Sequence, residues 1–123
     1  MDNNKLNNKT IDIIVPCYNE EKNIAIFFEE VQATTATIEG YDFKYFFVDD
    51  GSSDDTLKEI KALATDNDFV HYISFSRNFG KEAAMYAGLN AVKDDGADYG
   101  VIIDADLQHP PRLIKDMIET IVK

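Results

Sequence analysis

Four short runs of the chain are almost continuously apolar: Ile11–Val15, Phe43–Val48, Val70–Phe75 and Tyr99–Ile103. They are rich in Ile, Val, Phe and Tyr, and their lack of alternation predicts strands covered on both faces. The stretches between and after them change period. Ile24, Phe27, Phe28 and Val31 fall at i, i+3, i+4, i+7, the stripe of an amphipathic helix. Leu57, Ile60, Leu63 and Ala64 repeat it after Asp54, a candidate N-cap. Ala84, Ala87, Gly88 and Ala91 give a third helix a face of small residues, suited to close packing on a sheet. Ile114, Met117, Ile118, Ile121 and Val122 form a fourth stripe, begun by Pro110 and Pro111. The order β-α-β-α-β-α-β-α predicts an α/β fold of three layers, α/β/α, with a mainly parallel sheet and right-handed crossovers.

In such sheets ligands gather at the carboxyl ends of the strands. Every unusual polar cluster here follows a strand: Pro16–Glu21, Asp49–Asp55, Ser76–Glu82 and Asp104–His109. Four polar loops on one rim predict a site. The chain has 123 residues, enough for one domain, expected over residues 11–123 with Met1–Thr10 as a loose polar tail.

Charge narrows the choice of ligand. Twelve Lys and Arg stand against 23 Asp and Glu, a net −11. Nucleic acid would be repelled, and unaided docking on anionic lipid is disfavoured. A phosphorylated small molecule needs a local cation or a metal ion. The single cysteine, Cys17, excludes an internal disulfide and reads as a small packed hydrophobe in a reducing compartment. No apolar run approaches the roughly 20 residues that span a bilayer. A cytoplasmic location follows as the expectation.

The clusters then divide the chemistry. Asp104 and Asp106, with the Gln108 amide oxygen, are hard donors suited to Mg²⁺ or Mn²⁺ held jointly with a diphosphate. The competing reading is an acidic helix start. In Asp49-Asp50-Gly51-Ser52-Ser53-Asp54, Asp50 is placed to accept from a base NH or a ribose hydroxyl, and Gly51 permits a turn with positive φ. Ser53 or Asp54 caps the next helix, and Asp55 faces solvent. Ser76–Glu82 joins two cations, Arg77 and Lys81, to a glycine at a helix start, where backbone NH groups suit phosphate oxygens. In Pro16–Glu21, Tyr18 can stack on a base, Glu20 can accept from its NH, and Asn19 reads as an N-cap. His71 reads as structural, and His109 lies at the site's edge. No glycine-rich dinucleotide or Walker-type run occurs, and neither histidine has partners at zinc spacing.

Taken in order, IIVPCYNEEKNI, FFVDDGSSDDT, SFSRNFGKEAAMYAGL and VIIDADLQHPP resemble the signatures of glycosyltransferase family 2, the inverting GT-A enzymes. The SRNFGKE and DADLQ forms are most similar to the polyprenyl-phosphate branch, the bactoprenol glucosyltransferases and dolichyl-phosphate mannosyltransferases. The resemblance covers residues 11–122. It implies the Rossmann-like nucleotide-binding half of a GT-A fold. Pro16, Tyr18, Glu20 and Asp50 would contact the nucleoside, Arg77 and Lys81 the diphosphate, and Asp104, Asp106 and Gln108 the metal. It further implies transfer of a sugar from a nucleotide donor, UDP-glucose first and UDP-N-acetylglucosamine as an alternative, to a polyprenyl phosphate. Members of the family run well past the Asp-x-Asp motif, often into membrane helices. The chain therefore reads as the first, donor-binding part of a longer, membrane-associated protein, little active alone. Its uncovered sheet edge is expected to favour self-association into a homo-oligomer. Rival readings are a family 2 transferase with a saccharide acceptor, a non-catalytic nucleotide-sugar module, and a phosphohydrolase with Asp104 as nucleophile. The last is disfavoured because such acidic pairs usually follow the first strand.

Overall fold

The computed structural model describes residues 8–106 and 111–121, the side chains of 111–114 and 121 excepted. Its strands are β1 (Lys9–Cys17), β2 (Tyr41–Asp49), β3 (Val70–Ser74) and β4 (Tyr99–Ile102). Its helices are α1 (Ile24–Thr35), α2 (Thr56–Asp66), α3 (Lys81–Asp95) and α4 (Pro111–Ile121). The sheet is parallel throughout, in the order β3-β2-β1-β4. After β3 the chain crosses to the far side of β1, so the strand order reverses between β1 and β4. That reversal opens a crevice at the carboxyl rim.

Strand periodicity divides the core. Ile11, Ile13, Val15 and Cys17 of β1 face one side with Tyr45 and Phe47 of β2, against Ile24, Phe27, Phe28 and Val31 of α1, Ile60 of α2 and Ile118 of α4. Aromatic rings reinforce this layer, with Phe27 edge-on to Phe47 and Phe28 edge-on to Tyr45. The opposite face is covered by α3, whose small residues allow a close approach. A Cβ on Gly88 would lie 2.4 Å from Ile14 Cγ2. The three-layer expectation and the small-residue face both hold.

Boundaries differ by one or two residues, for local reasons. Strand β1 opens at Lys9, inside the expected tail, because Asp98 ties Thr10 down: Thr10 N–H donates to Asp98 Oδ2 (2.8 Å) and Asp98 N–H to the Thr10 carbonyl (3.0 Å). Strand β1 runs on to Cys17 and β2 to Asp49, still paired in register, so the site loops begin directly at the last ladder residues. Helix α4 begins at Pro111, where the absent N–H costs no hydrogen bond. Within its stripe Ile118 is buried and Met117 packs on the core, whereas Pro110 and Val122 lie outside the described residues. Among the described residues no helix is long and apolar enough to cross a membrane.

Candidate functional site

The parallel sheet brings all four polar loops to one rim. A cleft of about 180 Å³ there is lined by Pro16, Cys17, Tyr18 and Glu20 after β1, Asp50 after β2, Lys81 and Ala84 at the start of α3, and Asp104, Ala105 and Asp106 after β4. Seven residues singled out from the sequence meet in it. Gln108 and His109 lie outside the described residues. Arg77 lines no part of the cleft; its guanidinium sits 4.6 Å from the Phe79 ring centroid, an exposed cation–π pair.

The first two loops are laced together by side chain to backbone bonds. Asn19 Oδ1 accepts from Ser53 N–H (2.8 Å) and Ser53 Oγ (3.2 Å), while Asn19 N–H donates to Ser52 Oγ (2.9 Å). Asn19 is therefore a bridge between loops, not the N-cap expected. It takes φ +54, a left-handed conformation that asparagine tolerates better than most residues. Helix α1 starts further on, at Ile24, after a turn in which Asn23 Nδ2 donates to Glu20 Oε2 (2.7 Å). Glu20 N–H donates to Thr56 Oγ1 (2.8 Å). Asp54 sits one residue before the cap position, which Asp55 fills without a side-chain bond. From there Asp54 Oδ1 accepts from the Thr56 N–H (2.9 Å) and hydroxyl. Burial works to raise the Asp54 pKa, but these bonds prevail and hold it below the usual range.

The second and third loops meet at Asp50, which is 3% exposed. Its carboxylate accepts from Phe79 N–H (2.8 Å), Gly80 N–H (3.0 Å) and Asn78 Nδ2 (3.2 Å). Two NH groups expected to face phosphate are thus committed to Asp50. Gly51 has φ +67, and a Cβ there would stand 2.1 Å from the Arg77 carbonyl carbon, so the turn needs glycine for conformation and for space. Asn78, not among the expected site residues, links the two loops by donating also to the Asp50 carbonyl (3.2 Å). Its signal was an amide beside an aromatic–glycine pair at a helix start.

The fourth loop presents Asp104, half-buried, with Oδ2 3.0 Å from Lys81 Nζ. The pair is too exposed to add more than about 1 kcal/mol of stability. Its meaning is positional: a cation already lies against this carboxylate, and Asp106 lines the same cleft. Among the described residues no group of three His, Cys, Asp or Glu side chains could hold an ion unaided. Two hard carboxylates beside a cationic position fit Mg²⁺ or Mn²⁺ that shares its coordination with phosphate oxygens and water. Cys17 is buried and its thiol donates to the Val15 carbonyl (3.2 Å); burial, with Asp49, Glu20 and Asp104 nearby, raises its pKa far from thiolate formation. It packs, as expected. His71 is exposed on β3 and stacks on Phe46.

The profile of glycosyl transferase family 2 matches residues 12–123, nearly the whole chain. The chain belongs to that family. Over 109 residues it is 48% identical to CsbB of Bacillus subtilis (strain 168), named as a glycosyltransferase, covering 89% of this chain and 32% of that protein. Over the same length it is 40% identical to the prophage bactoprenol glucosyl transferase homolog of Escherichia coli (strain K12), covering 89% of this chain and 34% of that protein. This family 2 chain thus spans about a third of the length of these relatives. Its fold matches glucosyl-3-phosphoglycerate synthase from Mycobacterium tuberculosis, solved with Mn²⁺, UDP and glucosyl-3-phosphoglycerate, at TM-score 0.70 and 22% identity, covering 94% of this chain and 40% of that one. It also matches S. aureus TarS solved with UDP, at TM-score 0.67 and 22% identity, covering 92% and 32%. The family 2 domain described here therefore has the GT-A fold.

Proposed function

We propose that this family 2 domain binds a UDP-sugar, UDP-glucose first, together with Mg²⁺ or Mn²⁺, and that the whole protein passes the sugar to a polyprenyl phosphate with inversion. The observation that carries the reading is the convergence of Tyr18, Glu20, Lys81, Asp104 and Asp106 on one cleft at the strand-order reversal. The bactoprenol glucosyl transferases among its relatives support the lipid acceptor. Neighbours of the same fold solved with UDP or with Mn²⁺ support the donor and the ion.

In this reading Pro16, Tyr18 and Glu20 receive the nucleoside. Tyr18, 48% exposed, offers its ring to the base, and the Glu20 carboxylate, fixed by Asn23, accepts from a base NH. Lys81 moves its ammonium from Asp104 to a phosphate oxygen, and Arg77 swings in from Phe79 as the diphosphate arrives. Asp104, Asp106 and Gln108 hold the ion. When bound, such an ion neutralises charge on the departing nucleoside diphosphate. A phosphate acceptor is already ionised near neutrality, its second pKa being about 6. Orientation and leaving-group stabilisation therefore matter more than a strong general base.

The test is calorimetric titration with UDP, with and without Mn²⁺, against GDP as competitor, in the protein and its Asp106→Ala variant. Expected are a preference for UDP, dependence on the ion, and loss of that dependence in the variant. Unchanged Mn²⁺-dependent UDP affinity in Asp106→Ala would overturn the metal assignment. A preference for GDP would move the donor toward a guanosine sugar.

A further inference from the structure

We infer that Asn19 is a positioning residue for the nucleoside end of the donor: its left-handed backbone and its bonds to Ser52 and Ser53 hold Tyr18 and Glu20 in the cleft wall. This rests on the donor-site reading above. Among the described residues Asn19 is the only one besides glycine with a positive φ, +54. Such a conformation persists in a non-glycine residue where the surroundings compensate its strain. Asn19 stands between two residues that line the cleft, Tyr18 and Glu20, and lines no part of it itself. Its turn bends the chain out of the line of β1, which ends at Cys17, and carries Glu20 toward Thr56 before α1 begins at Ile24.

The compensation comes from the neighbouring loop. Ser53 N–H (2.8 Å) and the Ser53 hydroxyl (3.2 Å) donate to Asn19 Oδ1, and Asn19 N–H donates to Ser52 Oγ (2.9 Å). The next two N–H groups take the same direction: Glu20 N–H donates to Thr56 Oγ1 (2.8 Å) and Glu21 N–H to Asp54 Oδ2 (3.4 Å). Three successive N–H groups thus end on side chains of the 52–56 segment. That segment is itself fixed, because Ser52 N–H donates to Oδ1 of the buried Asp49 (3.2 Å) and Thr56 is fully buried. Asp50, the remaining carboxylate expected at the nucleoside, is tied to the same unit by its N–H, which donates to the Cys17 carbonyl (2.9 Å). Asn19 therefore locks together the two loops that carry Tyr18, Glu20 and Asp50. The Tyr18 ring is half exposed, so its place at the cleft depends on this backbone. Loops fixed before the ligand arrives lose less entropy on binding it.

Nucleoside affinity of the folded protein separates this role from a merely structural one. Uridine, and UDP with Mn²⁺, are titrated by ligand-observed NMR and calorimetry against the protein, Asn19→Ala, Asn19→Asp and Ser52→Ala, with circular dichroism as the check of folding. Asn19→Ala loses the Oδ1 bonds and disfavours the left-handed turn, and should weaken uridine and UDP alike by about tenfold. Asn19→Asp keeps the acceptor and tolerates the turn, and should hold uridine affinity within about threefold of wild type. Ser52→Ala removes one bond across the loops, should weaken uridine by a smaller factor than Asn19→Ala, and covers the case in which Asn19→Ala does not fold. Uridine and UDP affinities unchanged in both Asn19→Ala and Ser52→Ala, with Glu20→Gln still weakening them, would overturn the inference alone. Asn19→Asp as weak for uridine as Asn19→Ala would also overturn it, because the bridging acceptor would then not be what matters. Uridine affinity indifferent to Glu20→Gln and Tyr18→Ala overturns the nucleoside assignment, and wild-type protein that binds neither ligand overturns the donor-site reading; this inference falls with either.

Discussion

Two aspartates one strand apart show how burial sets a residue's task. Asp50 is buried and fully matched, whereas Asp12, on β1 under α3, is buried with neither oxygen at hydrogen-bonding distance from a donor. Burial, followed by the nearby Asp95 carboxylate, pushes the Asp12 pKa up to about 7, with Lys44 pulling the other way. Burial would raise Asp95 too, but Asp12 and the Lys44 ammonium at 3.1 Å hold it below the usual range, with His71 adding to the pull. The folded protein therefore keeps the Asp12 proton up to about pH 7, while the unfolded chain releases it near 3.8. This contribution to stability is full below the unfolded value and is lost as pH rises through the folded one. Asp12→Asn should flatten the decline between pH 5 and pH 8, gaining on the order of 2 kcal/mol at the upper end, read by thermal or urea melts. Melts in which wild type and variant keep parallel pH profiles would refute this. Gly51→Ala adds a Cβ 2.1 Å from backbone and keeps a positive φ, so it should cost at least about 2 kcal/mol and weaken UDP binding together with stability. At this scale the sequence disclosed Gly51's turn and the acidity of Asp50, but not Asp50's partners. Its donors lie 28 to 30 residues away, and nothing local marks Phe79 and Gly80 N–H as theirs.

Elements were the most legible level, because burial imposes a period and the period is written in the side chains. The stripes of α1 and α2 and the apolar runs of β1 and β2 meet in one core, as their spacing required. The period placed the first residue of α1 at Ile24, where the helix begins, but could not supply its cap. Asn19 has the chemistry of a cap, yet the competing pull of Ser52 and Ser53 from another loop draws it away. Helix α3 offers the sharper test. Alanine in place of Gly88 gains about 1 kcal/mol of helix propensity, but its methyl would meet Ile14 Cγ2 at 2.4 Å. Overpacking a close sheet–helix contact costs about 1–3 kcal/mol. A contact at 2.4 Å puts the steric cost in the upper part of that range, so it wins, and Gly88→Ala should lower stability by up to about 2 kcal/mol net. Adding Ile14→Ala to it should cost less than the sum of the two single changes, because the space vacated on β1 accepts the new methyl. Strict additivity in denaturant melts would mean that α3 simply shifts away from the sheet.

For the whole molecule, the β-α alternation disclosed the layers and the common rim, since parallel strands must end on one side, but strand order is a long-range property that no local pattern records. The observed order, β3-β2-β1-β4, puts the Asp104–Asp106 loop beside the β1 loop and so joins the acidic pair to Tyr18 and Glu20 in one cleft. The consequence is electrostatic. The chain carries net −11, and the cleft lines up Glu20, Asp50, Asp104 and Asp106 against the single cation Lys81 among its described lining residues. Near a protein surface one unit charge at 4 Å is worth about 4 kcal/mol, so a diphosphate entering this rim meets repulsion that Lys81 alone cannot offset. A divalent cation held by Asp104 and Asp106 would reverse the balance by adding two positive charges to the cleft. Removing divalent ions with a chelator should therefore reduce UDP affinity by at least about tenfold, leave uridine binding unchanged, and be reversed by either Mg²⁺ or Mn²⁺, as read by calorimetry. Screening gives an independent handle. Without divalent ions, added monovalent salt weakens the repulsion and should improve the residual UDP binding. With the ion in place the same salt should weaken binding, because the dominant interaction is then attractive. UDP affinity indifferent to the chelator would mean that local cations suffice, with Arg77 folded in beside Lys81, and would move the role of the Asp104–Asp106 pair from metal binding to structure.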